Sequence, residues 1–127
     1  MYVEDFKKLS LYQNSLDFYY AVYRFIDNNA MELSNEEKLK IRKMTVRIPV
    51  AIAAGIGQMN MKIRFKRLNM AKGLLEELKT LTSELLLKSR IEHEDDIELQ
   101  YYYDQVIRLI NSYFGWLSKN NKSKISI

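Results

Sequence analysis

The residues of this 127-residue chain whose types and spacing could do chemistry are its lysines and arginines, and the chemistry is anion binding. Ten of the twenty lie between Lys38 and Lys72, a stretch with no Asp or Glu. The ten cations outside it face sixteen acids, so +10 sits in the middle of a chain whose net charge is +4. A local field of that size suits a polyanion or another acidic partner. At helical spacing Lys40, Lys43 and Arg47 fall three and four residues apart on one face, with Arg42 off to one side. Lys62 and Lys66 share a face with Arg67 beside them, and Lys72 continues toward the middle of the same segment. Arg42, Lys43, Arg47, Lys62, Arg64, Lys66, Arg67 and Lys72 are therefore the candidate nucleic-acid contacts. Binding through them is expected to follow phosphates, independent of sequence and sensitive to salt. Phe65 is the only aromatic among them, so stacking readout of single-stranded bases is not indicated. The same charges also fit a solvated face balanced by acidic segments of neighbouring subunits.

Other chemistries find no residues to carry them. The chain has no Cys and one His, which removes disulfides, thiolate metal sites and the usual nucleophile–base pairs. His93 stands among Glu92, Glu94, Asp95 and Asp96, but consecutive helical positions do not converge on an ion. Glu76-Glu77 and Asp95-Asp96 are sequence neighbours and point apart on a helix. The run Ala51 to Gly57 is rich in small residues, yet a phosphate loop needs a preceding strand and here the preceding pattern is helical. Close packing of a second helix at Ala51 and Gly55 explains it better. A non-enzymatic protein is expected, with no catalytic, cofactor or metal residues.

Four amphipathic segments must position the cations, each repeating apolar residues at three- and four-residue steps. Their seams are Leu9-Tyr12-Leu16-Tyr19-Tyr23-Ile26, then Leu39 through Ile41, Met44 and Ile48 toward Ile56, then Leu68-Ala71-Leu75-Leu78-Thr82-Leu85, and finally Leu99-Tyr102-Val106-Leu109-Tyr113-Trp116. Ser34 with Glu37 reads as a capping box opening the second helix. Asn60 can cap the third, and the acidic cluster at 94–96 favours the start of the fourth. Pro49 predicts a kink or a break in the second. No strand alternation of useful length appears. The fold class is therefore all-α, an antiparallel up-down-up-down four-helix bundle over residues 1–119 with a polar tail at 120–127. The acidic N-terminus lacks a signal-peptide pattern, and the longest apolar run is far short of the ~20 residues a membrane span needs, so a soluble cytoplasmic protein is expected.

The first and fourth helices carry a second apolar row. It comprises Leu11, Phe18, Val22 and Phe25 on one, and Tyr103, Ile107, Ile110, Phe114 and Leu117 on the other. One buried stripe about 100° wide serves a bundle helix, and exposed aromatic surplus promotes association. These nine residues are the candidate interface of a homo-oligomer. The alternative is a core wide enough to take both rows.

Two motifs carry a resemblance. Arg42-Lys43-Met44-Thr45-Val46-Arg47-Ile48-Pro49-Val50-Ala51-Ile52-Ala53-Ala54-Gly55 is similar to the Arg-Arg-x-x-x-Ser-Ile-Pro-x-Asn-Ile-Ala-Glu-Gly hallmark of four-helix proteins read from intervening sequences of bacterial large-subunit ribosomal RNA genes. Ala71-Lys72-Gly73-Leu74-Leu75-Glu76-Glu77-Leu78 resembles that family's Ala-x-Gly-Ser-Leu-x-Glu-Leu. Arg47, Ala51, Ala54 and Leu74 depart from these patterns. The ending Gly115-Trp116-Leu117 instead resembles a related branch, the accessory variability determinant of diversity-generating retroelements. The resemblance implies a homopentameric barrel of four-helix protomers. The accessory branch implies binding of RNA or DNA and of a reverse transcriptase. The ribosomal branch implies a structural or scaffolding oligomer with no nucleic-acid role.

Overall fold

The computed structural model describes residues 3–120 apart from 89 and 92. They form four helices, α1 (Val3–Asn28), α2 (Asn35–Ile56), α3 (Met61–Leu87) and α4 (His93–Asn120), with no strand among the described residues. No helix among them is long and apolar enough to cross a membrane. Asn120, placed in the tail by its sequence, is the last residue of α4, and the rest of that tail lies outside the described residues.

Local chemistry sets the helix starts. Ser34 Oγ accepts from the Glu37 amide at 3.1 Å, while the Ser34 amide donates to Glu37 Oε1 at 2.9 Å, a complete capping box. Asn60 Oδ1 accepts from the Ile63 amide at 3.2 Å and opens α3. Glu94, Asp95 and Asp96 occupy the first turn of α4, where the helix dipole favours negative charge. α2 runs through Pro49 as one helix, so the break is not found. Proline cannot bond the Thr45 carbonyl. Thr45 and Pro49 are both buried, which holds the helix together across that missing bond.

The helices form a four-helix bundle in which each element has two neighbours: α2 packs on α1 and α3, and α4 packs on α1 and α3. Leu11, Phe18, Val22, Ile41, Ile48, Ile52, Leu68, Leu75, Ile110 and Leu117 fill its centre. This corrects the interface expected from the second apolar rows. Leu11, Phe18, Val22, Phe25, Tyr103, Ile110 and Leu117 are protomer core, none more than 7% exposed. Ile107 and Phe114 are half-buried at its edge, where the Phe114 ring stacks on Phe65 at 4.8 Å. The physical reason lies in the side chains. On α1 the row of Phe, Leu and Val carries no polar atom and goes inside, whereas the tyrosine row keeps its hydroxyls near water. Tyr12, Leu16, Tyr19 and Tyr23 are accordingly half-buried and Leu9 is exposed.

Gly55 explains the small-residue run. A Cβ there would lie 3.0 Å from Leu68 Cγ and Cδ2 and 3.4 Å from the Arg64 carbonyl oxygen. Leu68 is fully buried and has no room to yield. Gly55→Val is expected to cost about 2 kcal/mol in urea denaturation, since overpacking outweighs any gain in helix propensity.

The α3–α4 connection is tied back to α2 by a fork. Arg90 Nη1 donates to Glu37 Oε2 at 2.9 Å, and Nη2 donates to Glu37 Oε1 at 2.7 Å and to the Glu32 carbonyl at 2.6 Å. Arg90, aided by the Ser34 amide, pulls the Glu37 pKa down to about 2, against a smaller opposing effect of burial. A depressed carboxylate pKa stabilises the fold above the unfolded-state value and loses that contribution as pH falls through the folded value. Wild-type stability should therefore decline between about pH 4.5 and 2 by a component that Glu37→Gln lacks. Because the pair is partly solvated, that component is at most about 1 kcal/mol, measurable as a flatter acid arm in thermal melts.

Candidate nucleic-acid interface

The structure brings together part of the basic set. Lys43 and Arg47 are exposed on α2, and Lys62, Lys66 and Arg67 are exposed on the neighbouring α3. Gly55 against Leu68 and Arg64 places the end of α2 beside the start of α3. Arg47 lies eight residues before Gly55, about 12 Å back along the α2 axis at 1.5 Å per residue. Among the described residues the ion pairs are Lys8–Glu4, Arg24–Glu98, Arg64–Glu4 and Arg90–Glu37. None uses these five cations.

The other three expected contacts are engaged elsewhere. Arg42 is half-buried, its guanidinium 5.9 Å from the Tyr23 ring centroid, which turns it toward α1. Lys72 donates to Asn111 Oδ1 at 2.9 Å and sits 5.9 Å over the Phe114 ring, on the α4 side. Arg64 is only 4% exposed. Its Nε and Nη2 donate to the Gln58 carbonyl at 2.9 and 2.6 Å, and its Nη1 donates to Glu4 Oε1 and the Tyr113 hydroxyl oxygen, both at 3.0 Å. Arg64 is a buried tie between helix ends and is unavailable to a phosphate on the outer face of α3.

Acids absent from the sequence segment reach part of the surface from outside it. The start of α2 lies beside the end of α3, so Lys40 shares an open groove of about 510 Å³ with Glu76, Glu77 and Glu84. Lys40 and Lys43 also line a second depression with Glu36 and Glu77. The electrostatic surface thus divides. Near the 57–60 turn Arg47, Lys62, Lys66 and Arg67 make no ion pair among the described residues, while the opposite end is of mixed sign. Lys43 stands at the boundary. The charge switch in α3, from Lys72 to Glu76 and Glu77, was the available signal for this division.

A different surface is apolar. Tyr12, Leu16, Tyr19, Tyr20, Val46, Pro49, Val50 and Ala53 line a groove of about 350 Å³ between α1 and α2. Tyr20, Val46 and Val50 are exposed there. Sequence reasoning assigned the tyrosine row to the core and thereby missed this face. Its signal was the concentration of hydroxyl-bearing rings in one row. Among the described residues no group of three or more His, Asp or Glu is placed to hold a metal ion.

No family model matches the chain, and neither a curated protein nor a solved structure matches it.

Proposed function

We propose that this chain is a non-enzymatic accessory protein that binds RNA or DNA through phosphates, as a cytoplasmic oligomer of antiparallel up-down-up-down bundles. The observation that carries the reading is the exposed strip of Arg47, Lys62, Lys66 and Arg67, which no carboxylate pairs among the described residues. Cations left bare on two adjacent helices match the backbone of a nucleic acid better than a self-balanced surface, where signs alternate. The resemblance to the accessory variability determinant supports a reverse transcriptase as protein partner and a pentamer as the assembly. A gel shift titrated with salt tests it. Affinity should fall steeply as salt rises, and an affinity indifferent to salt overturns phosphate binding.

The second reading, a scaffolding oligomer without a nucleic-acid role, is favoured by the α1–α2 groove. Its exposed Tyr20, Val46 and Val50 offer an apolar surface for joining copies, while seven of the nine residues of the second apolar rows are buried in the core. Oligomerisation through this face is compatible with a free basic strip, so both readings share one assembly.

A further inference from the structure

Oε1 of Glu4 gathers donors from three helices. Lys8 Nζ lies 3.2 Å away, Arg64 Nη1 3.0 Å and the Tyr113 hydroxyl 3.4 Å. Two of these are fixed by groups other than Glu4. Arg64 and Tyr113 are buried in the bundle end, at 4% and 1% exposure. The Gln58 carbonyl takes both Nε and Nη2 of Arg64, which sets the guanidinium plane and leaves Nη1 aimed at the carboxylate. Nη1 also donates to the Tyr113 oxygen, so the phenol's own hydrogen turns outward to Glu4. Burial, opposed by Arg64 and assisted by Glu4, pushes the Tyr113 pKa up to about 12, so the phenol stays a donor at any physiological pH. Arg64 and Tyr113 are therefore prearranged, and Lys8 adds a cation one turn further along α1 from Glu4.

The group they hold sits at a helix end. Glu4 sits in the first turn of α1, its side chain 28% exposed, between the exposed Val3 and a Phe6 that also faces solvent. Helix ends open far more readily than packed interiors. We propose that Arg64, Tyr113 and Lys8 form an oxyanion-binding site that Glu4 plugs from within the chain, and that a phosphate or carboxylate oxygen from another molecule takes the same position when the first turn of α1 lifts. Charge-assisted donors of this kind accept either oxyanion. The site is separate from the basic strip, since Arg64 faces the core and the strip faces outward. A tethered carboxylate competes at an effective concentration on the order of millimolar, so Glu4 masks the site in the intact chain.

The test is thermal melting of the full chain and of Glu4→Ala in sodium phosphate and in sodium acetate, with sodium chloride holding ionic strength constant. Glu4→Ala should melt lower than wild type, and its melting temperature should begin to rise, in proportion to the logarithm of concentration, at an oxyanion concentration at least about tenfold below that for wild type. A rise of Glu4→Ala at the lower concentration with phosphate, with acetate or with both identifies the oxyanion and supports the site in each case. Glu4→Gln, which keeps the shape of the turn and loses the charge, gives the same comparison should the alanine variant fold poorly. Adding Tyr113→Phe to Glu4→Ala removes one donor and should abolish most of the rise. Equal rises in wild type and Glu4→Ala would overturn the proposal, as would no rise in either or a full rise in the double variant.

Discussion

Phe18→Ala should lower the unfolding free energy by about 4 kcal/mol, the usual cost of emptying a large aromatic site in a packed core. The ring is 1% exposed and sits among residues from the other helices, so the cavity has little freedom to collapse. For a domain whose total stability is on the order of 5–15 kcal/mol, such a loss lowers the midpoint of urea unfolding by about 2 M at a slope of about 2 kcal/mol per M. Val50→Glu should behave in the opposite way. Val50 is exposed in the α1–α2 groove, and a surface change there costs within about 0.5 kcal/mol. If that groove joins copies, Val50→Glu dissociates the assembly in sedimentation while each protomer stays folded. The pair of variants separates core from interface. A Phe18→Ala protein of unchanged stability that fell to monomers would return the second apolar row to the interface.

Why the sequence identified the helices but chose the wrong row on α1 follows from what periodicity measures. Ser34 with Glu37, Asn60 and the acids at 94–96 are local signals, and local hydrogen bonds and dipoles act wherever the helix packs. Alternating three- and four-residue steps fix that α1 has an apolar side, but two rows about 100° apart satisfy the same rule. The decision between them belongs to the neighbours. A tyrosine can sit at a rim with its hydroxyl in water, while Phe18, Val22 and Phe25 cannot be exposed without cost, and the core takes the row that has no other place.

The basic set was legible as charge and illegible as surface for a related reason. Arg64 lies four residues before Leu68 on the buried seam of α3, so its register already placed it inside, and only its sign suggested otherwise. Lys40 and Lys43 of α2 line one depression with Glu77 of α3, and that juxtaposition is a property of the tertiary arrangement. A segment free of acids in sequence need not be free of them in space.

What remains is a narrower strip, and it makes the strongest functional prediction. Reversing Arg47, Lys66 and Arg67 together to Glu should weaken nucleic-acid binding about 10³-fold near 100 mM salt and reduce the slope of log K against log salt by about 3, since each phosphate contact contributes about 0.9 on duplex DNA. Stability should move by about 0.5 kcal/mol or less per site, because these side chains are exposed and make no ion pair among the described residues. Reversing Arg42 and Lys72 is the control. They carry the same sign but lean on Tyr23 and Phe114 on other faces, so they should change affinity by little more than the general field demands. Equal losses per charge from the two sets, measured by gel shift at matched salt, would mean that binding follows net charge and that the α2–α3 strip has no special role. A loss confined to the first set would place the nucleic acid along Arg47, Lys66 and Arg67. It would leave the α1–α2 groove, whose lining includes none of these three residues, to a second copy of the chain.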